Sequence, residues 1–297
     1  MSKKWIGNGL LLLGAMIWGA AFVAQSVGME FVGPFTFQAV RSLLGSLVLL
    51  PVMLLTDRTG LSVPPRGRHQ YKDLLVGGTV CGLCLFVACA LQQLGLLYTT
   101  PGKSGFFTSL YIILVPLIGV VMGKKVSPWL LVSVVLAVAG LYLLCGGGDF
   151  SVGMGELLTL GCAAAFSFHI LAVDRFNNSV DGIRLSSLQF FVCALLSAVC
   201  MFLWETPRPS DILRCWLPIC YAGILSAGAG YTLQILGQRH TEPTVASLIM
   251  SLESVFSVVF GWILLHQRLS GMELIGCCLV FAGVVLAQLP SRRKKEK

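Results

Sequence analysis

A single carboxylic acid lies inside an apolar stretch near the C-terminal end of the chain, Leu248 to Gly261. This acid, Glu253, is close to the centre of the longer run from Pro243 to Leu265. At ~1.5 Å per residue that run is long enough to cross a bilayer as a helix. A charge is most costly at mid-membrane depth, so an acid there is a functional candidate by default. Glu253 could bind a proton or a substrate ammonium group, or it could be a structural acid paired with a neighbouring helix.

A second charged residue, Arg41, lies inside another apolar run, ~10 Å along the helix that begins at Pro34. Arg41 could pair with Glu253 or meet a carboxylate of a substrate. It could instead be a structural anchor whose side chain snorkels to the outer interface or binds backbone carbonyls. The position near the end of the run favours the anchor.

Two glutamines and two tyrosines add polar groups at membrane depth. Gln92 and Gln234 each end a stripe of small residues at every fourth position, a spacing that lets helices approach closely. Each glutamine could face a cavity and bind a polar ligand, or it could hydrogen-bond between helices. Tyr111 and Tyr231 carry hydroxyls that need a partner in an apolar medium. We expect both tyrosines to line a central cavity.

The last two candidates are the aromatic residue Trp18 and the titratable residue His169. Trp18 shares one helical face with Phe22 and Gln25, and this face could stack on a substrate or an organic cation. Packing or lipid contact is the alternative for each of these side chains. His169 lies about one turn from the cytoplasmic edge of its span. It could relay protons, although the pattern favours an interfacial histidine with satisfied hydrogen bonds.

The composition says what kind of molecule holds these residues. The 297 residues are 56% hydrophobic and 11% charged, with a mean hydropathy of +0.85. Soluble domains have about a quarter of their residues charged, so this is an integral membrane protein. The net charge of +8 does not indicate nucleic acid, because Lys and Arg lie in short loops and at the termini. The eleven cysteines lie mainly inside apolar runs and predict neither disulfides nor a metal site, and no cofactor is expected.

Hydropathy predicts ten transmembrane helices. With the N-terminus in the cytoplasm, sixteen Lys and Arg residues fall in cytoplasmic segments and four in outer ones, so both termini are predicted to be cytoplasmic. The predicted spans cover residues 6–27, 34–55, 74–98, 102–122, 128–144, 154–173, 185–204, 217–236, 243–265 and 271–289.

The spans divide into two related halves, residues 1–145 and 146–297. An offset of 142 residues superimposes matching residues of spans three and four on spans eight and nine, and it places Glu253 on Tyr111. Five spans per half means that the second half enters the membrane from the opposite side, so the halves are predicted to be inverted repeats around a central cavity. The matched pairs are Gln92 and Gln234, Gly95 and Gly237, Thr99 and Thr241, Pro101 and Pro243, Leu110 and Leu252, and Gly119 and Gly261.

The repeated unit resembles the EamA-type repeat of the drug/metabolite transporter superfamily. The resemblance rests on "WGAAF" at 18–22, "LLYTTPGKSGFFTSLYIILVPLIG" at 96–119, "SLESVFSVVFGWILL" at 251–265 and the "AG" pairs that end spans five and ten. It implies a ten-helix carrier, often an exporter, of amino acids, other metabolites or drugs. An arginine in the second span looks like a common feature of the family. The family's usual Gly-Glu-Arg-Leu after spans four and nine is replaced by residues 123–127 and 266–270, so both motif acids are lost.

The combined prediction is an all-α membrane protein that acts as a secondary carrier of a small organic metabolite, working by alternating access in the cell membrane. Protons are the expected coupling ion, and the lipid bilayer is the expected surrounding. A channel-like facilitator and, less favoured, a membrane enzyme remain alternatives. An enzyme would need a paired acid, a nucleophile or a metal cluster, and the sequence offers none of these. Neither the substrate nor the oligomeric state follows from the sequence.

Overall fold

The computed structural model describes residues 3–59, 64–65, 67–99, 101–123, 126–144, 153–265 and 270–288. The basic C-terminal tail lies outside these residues. Two other parts that the sequence analysis singled out also lie outside them, namely Lys124 and Lys125 after the fourth predicted span and residues 266–269 after the ninth.

Within the described residues every regular element is helical, and no strand is present. Seven helices fall before residue 180: α1 (Lys3–Gly28), α2 (Pro34–Arg58), α3 (Arg68–Leu96), α4 (Pro101–Ser109), α5 (Tyr111–Val121), α6 (Pro128–Leu144) and α7 (Met154–Phe176). The others are α8 (Gly182–Trp204), α9 (Pro209–Arg214), α10 (Trp216–Cys220), a π-helical segment (Tyr221–Gly230), α11 (Tyr231–Gln238), α12 (Pro243–Met250), α13 (Leu252–Leu265) and α14 (Gly271–Gln288).

Nine helical stretches in the described part of the chain are long and apolar enough to cross a membrane. A shorter apolar helix, α6, spans Pro128–Leu144 and coincides with the fifth predicted span. The chain is therefore a multi-pass membrane protein. Helices α3 and α8 begin several residues before the predicted spans, at Arg68 and Gly182, because polar residues continue the helix beyond the apolar run. The short helix α9 lies in a stretch that the sequence analysis left as a connection.

Two predicted spans are each interrupted near the middle. The fourth is broken at Leu110, between α4 and α5, and the ninth is broken at Ser251, between α12 and α13. At the second break the hydroxyl of Ser251 donates to the carbonyl of Leu248 at 2.8 Å. Hydroxyls that bond to a carbonyl one turn earlier compete with the helical backbone pattern and bend helices. The sequence analysis treated both spans as continuous, because apolar periodicity passes through each break unchanged.

The eighth predicted span combines α10, the π-helical segment and α11. The segment is rich in glycine and alanine, and it packs closely on α2: a Cβ added to Gly45 would lie 2.6 Å from the Cβ of Ala227. π-helical turns are rare and often accompany functional sites. Ser226 in this segment faces the same interior cavity as Tyr231 and Gln234 of α11, which follows it.

The packing brings seven helical spans around one interior region. Helix α2 packs on α8, α3 packs on α7 and α8, and α1 packs on α13, α11 and the π-helical segment. Helix α14 packs on α6 at one side. The largest cluster of buried apolar residues surrounds this interior, with Leu11, Leu85, Ile112 and Leu248 fully buried in it. The helix breaks lie at its centre.

Candidate functional site

A cavity lies in the interior, and its lining residues come from seven helical spans. Seven of the eight side chains that the sequence analysis proposed for a site lie in its wall, and His169 does not. The wall consists of Trp18, Ala21, Phe22, Gln25, Arg41, Gln92, Tyr111, Phe166, Ile170, Ser226, Tyr231, Gln234, Met250 and Glu253. The wall therefore combines apolar and polar side chains in comparable numbers, so it is more polar than the usual small-molecule site.

One wall is aromatic and rigidly packed. The rings of Trp18 and Tyr231 lie 4.7 Å apart between centroids, and Phe190 meets Tyr231 edge-on at 5.0 Å. The indole Nε1 of Trp18 donates to the carbonyl of Ser226 in the π-helical segment at 3.3 Å. These contacts fix the orientation of both cavity-facing rings, so the wall is formed before any ligand arrives.

Glu253 is buried at the second helix break and bonded to its repeat equivalent. The hydroxyl of Tyr111 donates to Oε1 of Glu253 at 3.1 Å. Next to this pair, the hydroxyls of Ser109 and Ser254 lie 2.7 Å apart. The two interrupted spans are thus joined at their breaks, one from each half of the chain. The structure gives a local reason for the intramembrane acid, because Tyr111 satisfies one of its two oxygens.

Arg41 is buried in the wall, with 6% of its surface exposed. Its guanidinium carbon lies 5.8 Å from the ring centroid of Phe37, one turn earlier on α2. The Nε of Arg41 has no hydrogen-bond partner among the described residues. No ion pair within 4.0 Å joins Arg41 to Glu253, although both residues belong to the described part of the chain. The cavity therefore holds a cation and an acid that do not neutralise each other by direct contact.

Two glutamines of the first half line or adjoin the cavity. Nε2 of Gln92 lies 3.4 Å from the hydroxyl of Thr108 on α4, to which it donates. Gln25 accepts a hydrogen bond of 3.0 Å from Nε2 of Gln93, which is fully buried. Gln25 is buried on the same helical face as Trp18, and the hydrogen bond from Gln93 gives its side-chain oxygen a polar partner there. Gln92 combines the two alternatives of the sequence analysis, because it faces the cavity and also bonds to a neighbouring helix.

Gln234, the repeat equivalent of Gln92, has a different environment. Its Nε2 donates to Oε1 of Gln238 at 3.1 Å, and Nε2 of Gln238 donates to the carbonyl of Ile170 at 3.1 Å. Oε1 of Gln234 is buried and, within the described ranges, has no hydrogen-bond partner. The equivalent glutamines of the two repeats therefore donate to different partners, a threonine hydroxyl in the first half and a second glutamine in the second half.

His169 lies behind the cavity wall and is fully buried. Its Nε2 lies 2.9 Å from Oε1 of Gln189 on α8, and its ring meets Tyr231 edge-on at 5.9 Å. Sequence reasoning placed His169 among the candidates because of its titratable ring. The helical phase of α7 instead turns it toward α8, while Phe166 and Ile170 of the same helix face the cavity.

Five lining residues were not among the candidates of the sequence analysis: Ala21, Phe166, Ile170, Ser226 and Met250. Four of them are apolar residues in apolar spans, and Ser226 belongs to the stripe of small residues that ends at Gln234, so no residue type or spacing separates them from packing residues. Ala21 and Met250 are neighbours in sequence of Phe22 and Glu253, respectively, and this proximity was the only available signal. No group of three or more His, Cys, Asp or Glu side chains that could hold a metal occurs within the described ranges.

Comparison with known proteins identifies the relatives of this chain. The model of the EamA-like transporter family matches residues 5–146 and again residues 153–289. An uncharacterized transporter of Archaeoglobus fulgidus is 29% identical over 94% of this chain and 84% of the relative. The uncharacterized transporter YoaV of Bacillus subtilis is 22% identical over 94% of this chain and 96% of its own length.

A relative with a stated substrate matches a shorter region. The threonine/homoserine exporter RhtA of Salmonella typhimurium is 29% identical over 55% of this chain and 56% of its own length. A crystal structure of another protein superimposes with a TM-score of 0.78, covering 97% of this chain and 98% of that one. At 22% identity that likeness shows a shared fold only.

Proposed function

The chain belongs to the EamA-like transporter family and is a membrane transporter, and from that premise we propose that it is a secondary carrier that exports a small zwitterionic metabolite. The substrate class is an amino acid or a related compound. The carrier works by alternating access and exchanges its substrate for protons. It is a transporter rather than an enzyme, in keeping with the relatives, which are named as transporters.

The observation that carries the proposal is the pair of unneutralised charges in one cavity. Arg41 and Glu253 both line the cavity and make no ion pair with each other. A buried charge is costly unless it is paired and hydrogen-bonded. A zwitterion satisfies both residues at once, because its carboxylate binds the guanidinium of Arg41 and its ammonium group binds the carboxylate of Glu253. The aromatic wall of Trp18 and Tyr231 is left for the apolar part of the substrate.

The proposed architecture is ten spans in two inverted five-helix repeats, residues 1–145 and 146–297, with α6 as the fifth span. Equivalent helix crossings support it. In each half the end of the third span meets the start of the first span of the other half, glycine on glycine with a threonine hydrogen bond beside them. These contacts are Gly95 on Gly155 with Thr99 to Glu156, and Gly237 on Gly7 with Thr241 to Asn8.

The proposed placement is the cell membrane, with both termini in the cytoplasm. The excess of Lys and Arg in the segments assigned to that side supports this orientation. The site lies near mid-membrane at the contact between the two repeats, where Tyr111 meets Glu253. Secondary transporters with inverted repeats commonly bind substrate and coupling ion at such a place, next to interrupted helices.

The proposal is tested with purified protein in proteoliposomes by counterflow of labelled amino acids. We expect saturable uptake in the wild type and a dependence on the pH gradient. Glu253→Gln keeps the shape of the side chain and removes its charge and its proton. We expect this variant to lose coupling to the pH gradient and at least about 90% of net transport, since neither a proton nor an ammonium group can bind a carboxylate there.

Two controls make the experiment specific. Glu30→Gln changes an acid at the end of α1, outside the cavity, and should transport like the wild type. Melting temperatures in detergent show whether each variant folds. Unchanged transport with unchanged pH dependence in Glu253→Gln contradicts the carboxylate's role. Flux that rises linearly with substrate, without saturation, contradicts a carrier and favours a channel-like facilitator.

A further inference from the structure

A buried acceptor in the cavity wall has no donor. Gln234 lines the cavity, the residue is only 3% exposed, and within the described part of the chain its Oε1 has no hydrogen-bond partner. A buried polar atom without a partner is costly, because it has lost its hydrogen bonds to water and gained none from the protein. In a binding site such an atom is explained when a ligand supplies the missing group.

The orientation of this amide is fixed by its neighbours. The carbonyl of Ile170 can only accept, so Gln238 must present its Nε2 to it, at 3.1 Å. Oε1 of Gln238 is then left to accept from Nε2 of Gln234, also at 3.1 Å. Because a backbone carbonyl ends this chain of hydrogen bonds, neither amide can be turned over without losing a bond. The atom of the Gln234 amide that is left without a partner is therefore the oxygen and not the nitrogen.

The position of Gln234 separates it from the charged groups. It lies four residues before the end of α11, ~6 Å along the helix, whereas Glu253 lies ten residues after the start of α12, ~15 Å along. Those two helix ends are joined by a short connection and lie on the same face of the membrane. Arg41 lies seven residues after the start of α2, ~10 Å from the opposite face of the membrane in the ten-span arrangement. The order across the membrane is therefore Arg41, then Glu253, then Gln234.

We infer that Gln234 is the residue that selects the substrate side chain, and that the preferred substrates are amino acids whose side chain carries a hydrogen-bond donor. The inference rests on the zwitterion proposed above. With the carboxylate at Arg41 and the ammonium group at Glu253, the side chain extends along the wall of Trp18 and Tyr231. Its hydroxyl or other N–H or O–H group donates to Oε1 of Gln234.

A donor-seeking site discriminates strongly between similar ligands. An analogue without the donor leaves Oε1 of Gln234 buried and unpaired, so it loses the hydrogen bond and gains nothing in exchange. Sites built to bind a substrate hydroxyl reject the analogue that lacks it far better than apolar pockets reject an extra methyl group. Gln238 acts as a positioning residue, because it holds the Gln234 amide in the accepting orientation.

The test measures counterflow of two pairs of amino acids in proteoliposomes. L-threonine and L-valine are close in shape and differ by a hydroxyl in place of a methyl group; L-tyrosine and L-phenylalanine differ by one hydroxyl further from the α-carbon. In whichever pair is carried, we expect the wild type to favour the hydroxyl member by about 10-fold or more in transport efficiency. Gln234→Leu, which keeps similar volume and removes the acceptor, should bring this ratio to about 1.

Two further variants separate selection from folding. Gln238→Leu leaves Gln234 in place but frees its amide to turn, and we expect it to lower the ratio as well. Gln92→Leu alters the equivalent glutamine of the first half, whose Nε2 bonds to Thr108, and should leave the ratio as in the wild type even if the rate falls. Both effects are ratios, so a general loss of stability does not produce them.

Equal transport of both members of a carried pair by the wild type overturns the inference and leaves the carrier of zwitterions standing. The same holds if Gln234→Leu retains the wild-type ratio. If none of the four amino acids is carried, while Glu253→Gln still loses pH-driven transport of another metabolite, the side-chain inference fails and the carrier remains. If no zwitterion is carried at all, both fail.

Discussion

At the scale of single residues, the cavity depends on two opposite charges that are held apart. Both were visible in the sequence, because a charge in an apolar run is conspicuous whatever the fold. Their mutual arrangement was not visible: the sequence allowed Arg41 to pair with Glu253 or to anchor at the interface, and it favoured the anchor. In the structure the partner of Glu253 is Tyr111, at 3.1 Å, and Arg41 remains in the cavity wall. The repeat offset, rather than the charges, predicted that Tyr111 was relevant.

Arg41→Met tests the role of the cation. We expect it to weaken uptake of L-threonine by at least about 30-fold, since removing one partner of a buried charge pair costs about 2–5 kcal/mol. L-threoninamide keeps the ammonium group and lacks the carboxylate, so its uptake should change little. Counterflow of both compounds provides the comparison.

Arg41→Lys serves as the matched variant. It keeps the positive charge but not the planar fork of donors, and we expect it to recover part of the threonine uptake. An equal loss for threonine and threoninamide in Arg41→Met contradicts a carboxylate contact and favours a purely structural arginine.

At the scale of the helices, length and apolar composition predicted the elements well, and backbone interruptions escaped prediction. The breaks at Leu110 and Ser251 lie where the apolar pattern is uninterrupted, and no proline marks either position. Serine hydroxyls that bond to carbonyls one turn earlier, as at Ser251 and Ser257, are compatible with a straight helix as well. Tertiary contacts between the two interrupted spans determine where the helices break, and these contacts cannot be read from a single sequence.

The crossing of α6 and α14 makes a prediction about stability. A Cβ on Gly140 would lie 2.6 Å from both the carbonyl oxygen of Gly276 and the nitrogen of Val280, so the backbones touch there. Gly140→Val should force the helices apart and lower stability by about 1–3 kcal/mol. Thermal unfolding in detergent measures the change as a lower melting temperature.

The control for this prediction is Gly9→Val in α1. Gly9 is exposed, and an added Cβ would meet no atom within 4 Å. The same substitution there should leave the melting temperature close to that of the wild type. If Gly140→Val melts like Gly9→Val, the two helices are not in close contact and the crossing is wrong.

At the scale of the whole molecule, helices α2 and α8 are joined by polar contacts at both ends, and we call these contacts the two fastenings. At one end Glu205, just after α8, accepts hydrogen bonds from the backbone of Phe35 and Thr36, each at 2.8 Å. At the other end Arg184, near the start of α8, forms an ion pair with Asp57 of α2 at 2.5 Å. These two acids lie at the ends of equivalent spans in the two predicted halves, so each half contributes one fastening on opposite faces.

The two fastenings should act independently. Glu205→Gln is expected to speed amide hydrogen exchange at the start of α2, since an amide replaces two accepting oxygens with one. Asp57→Asn should speed exchange at the start of α8, where Arg184 loses one of its two charged partners. Hydrogen–deuterium exchange followed by mass spectrometry resolves the two regions. Faster exchange at both ends in either single variant contradicts two separate fastenings.

The separated charges of the cavity also have an electrical consequence. The charges of Arg41 and an ionised Glu253 sum to zero, and a zwitterion has no net charge. A site loaded with a zwitterion is therefore neutral when its opening changes from one side of the membrane to the other. A proton on Glu253 leaves the site with a net charge of one. The return step then carries that charge through the membrane potential, which is worth about 2.3 kcal/mol per 100 mV. In the proposed exchange of substrate for a proton, export draws on voltage as well as on the pH difference, and it continues when the two sides of the membrane have equal pH.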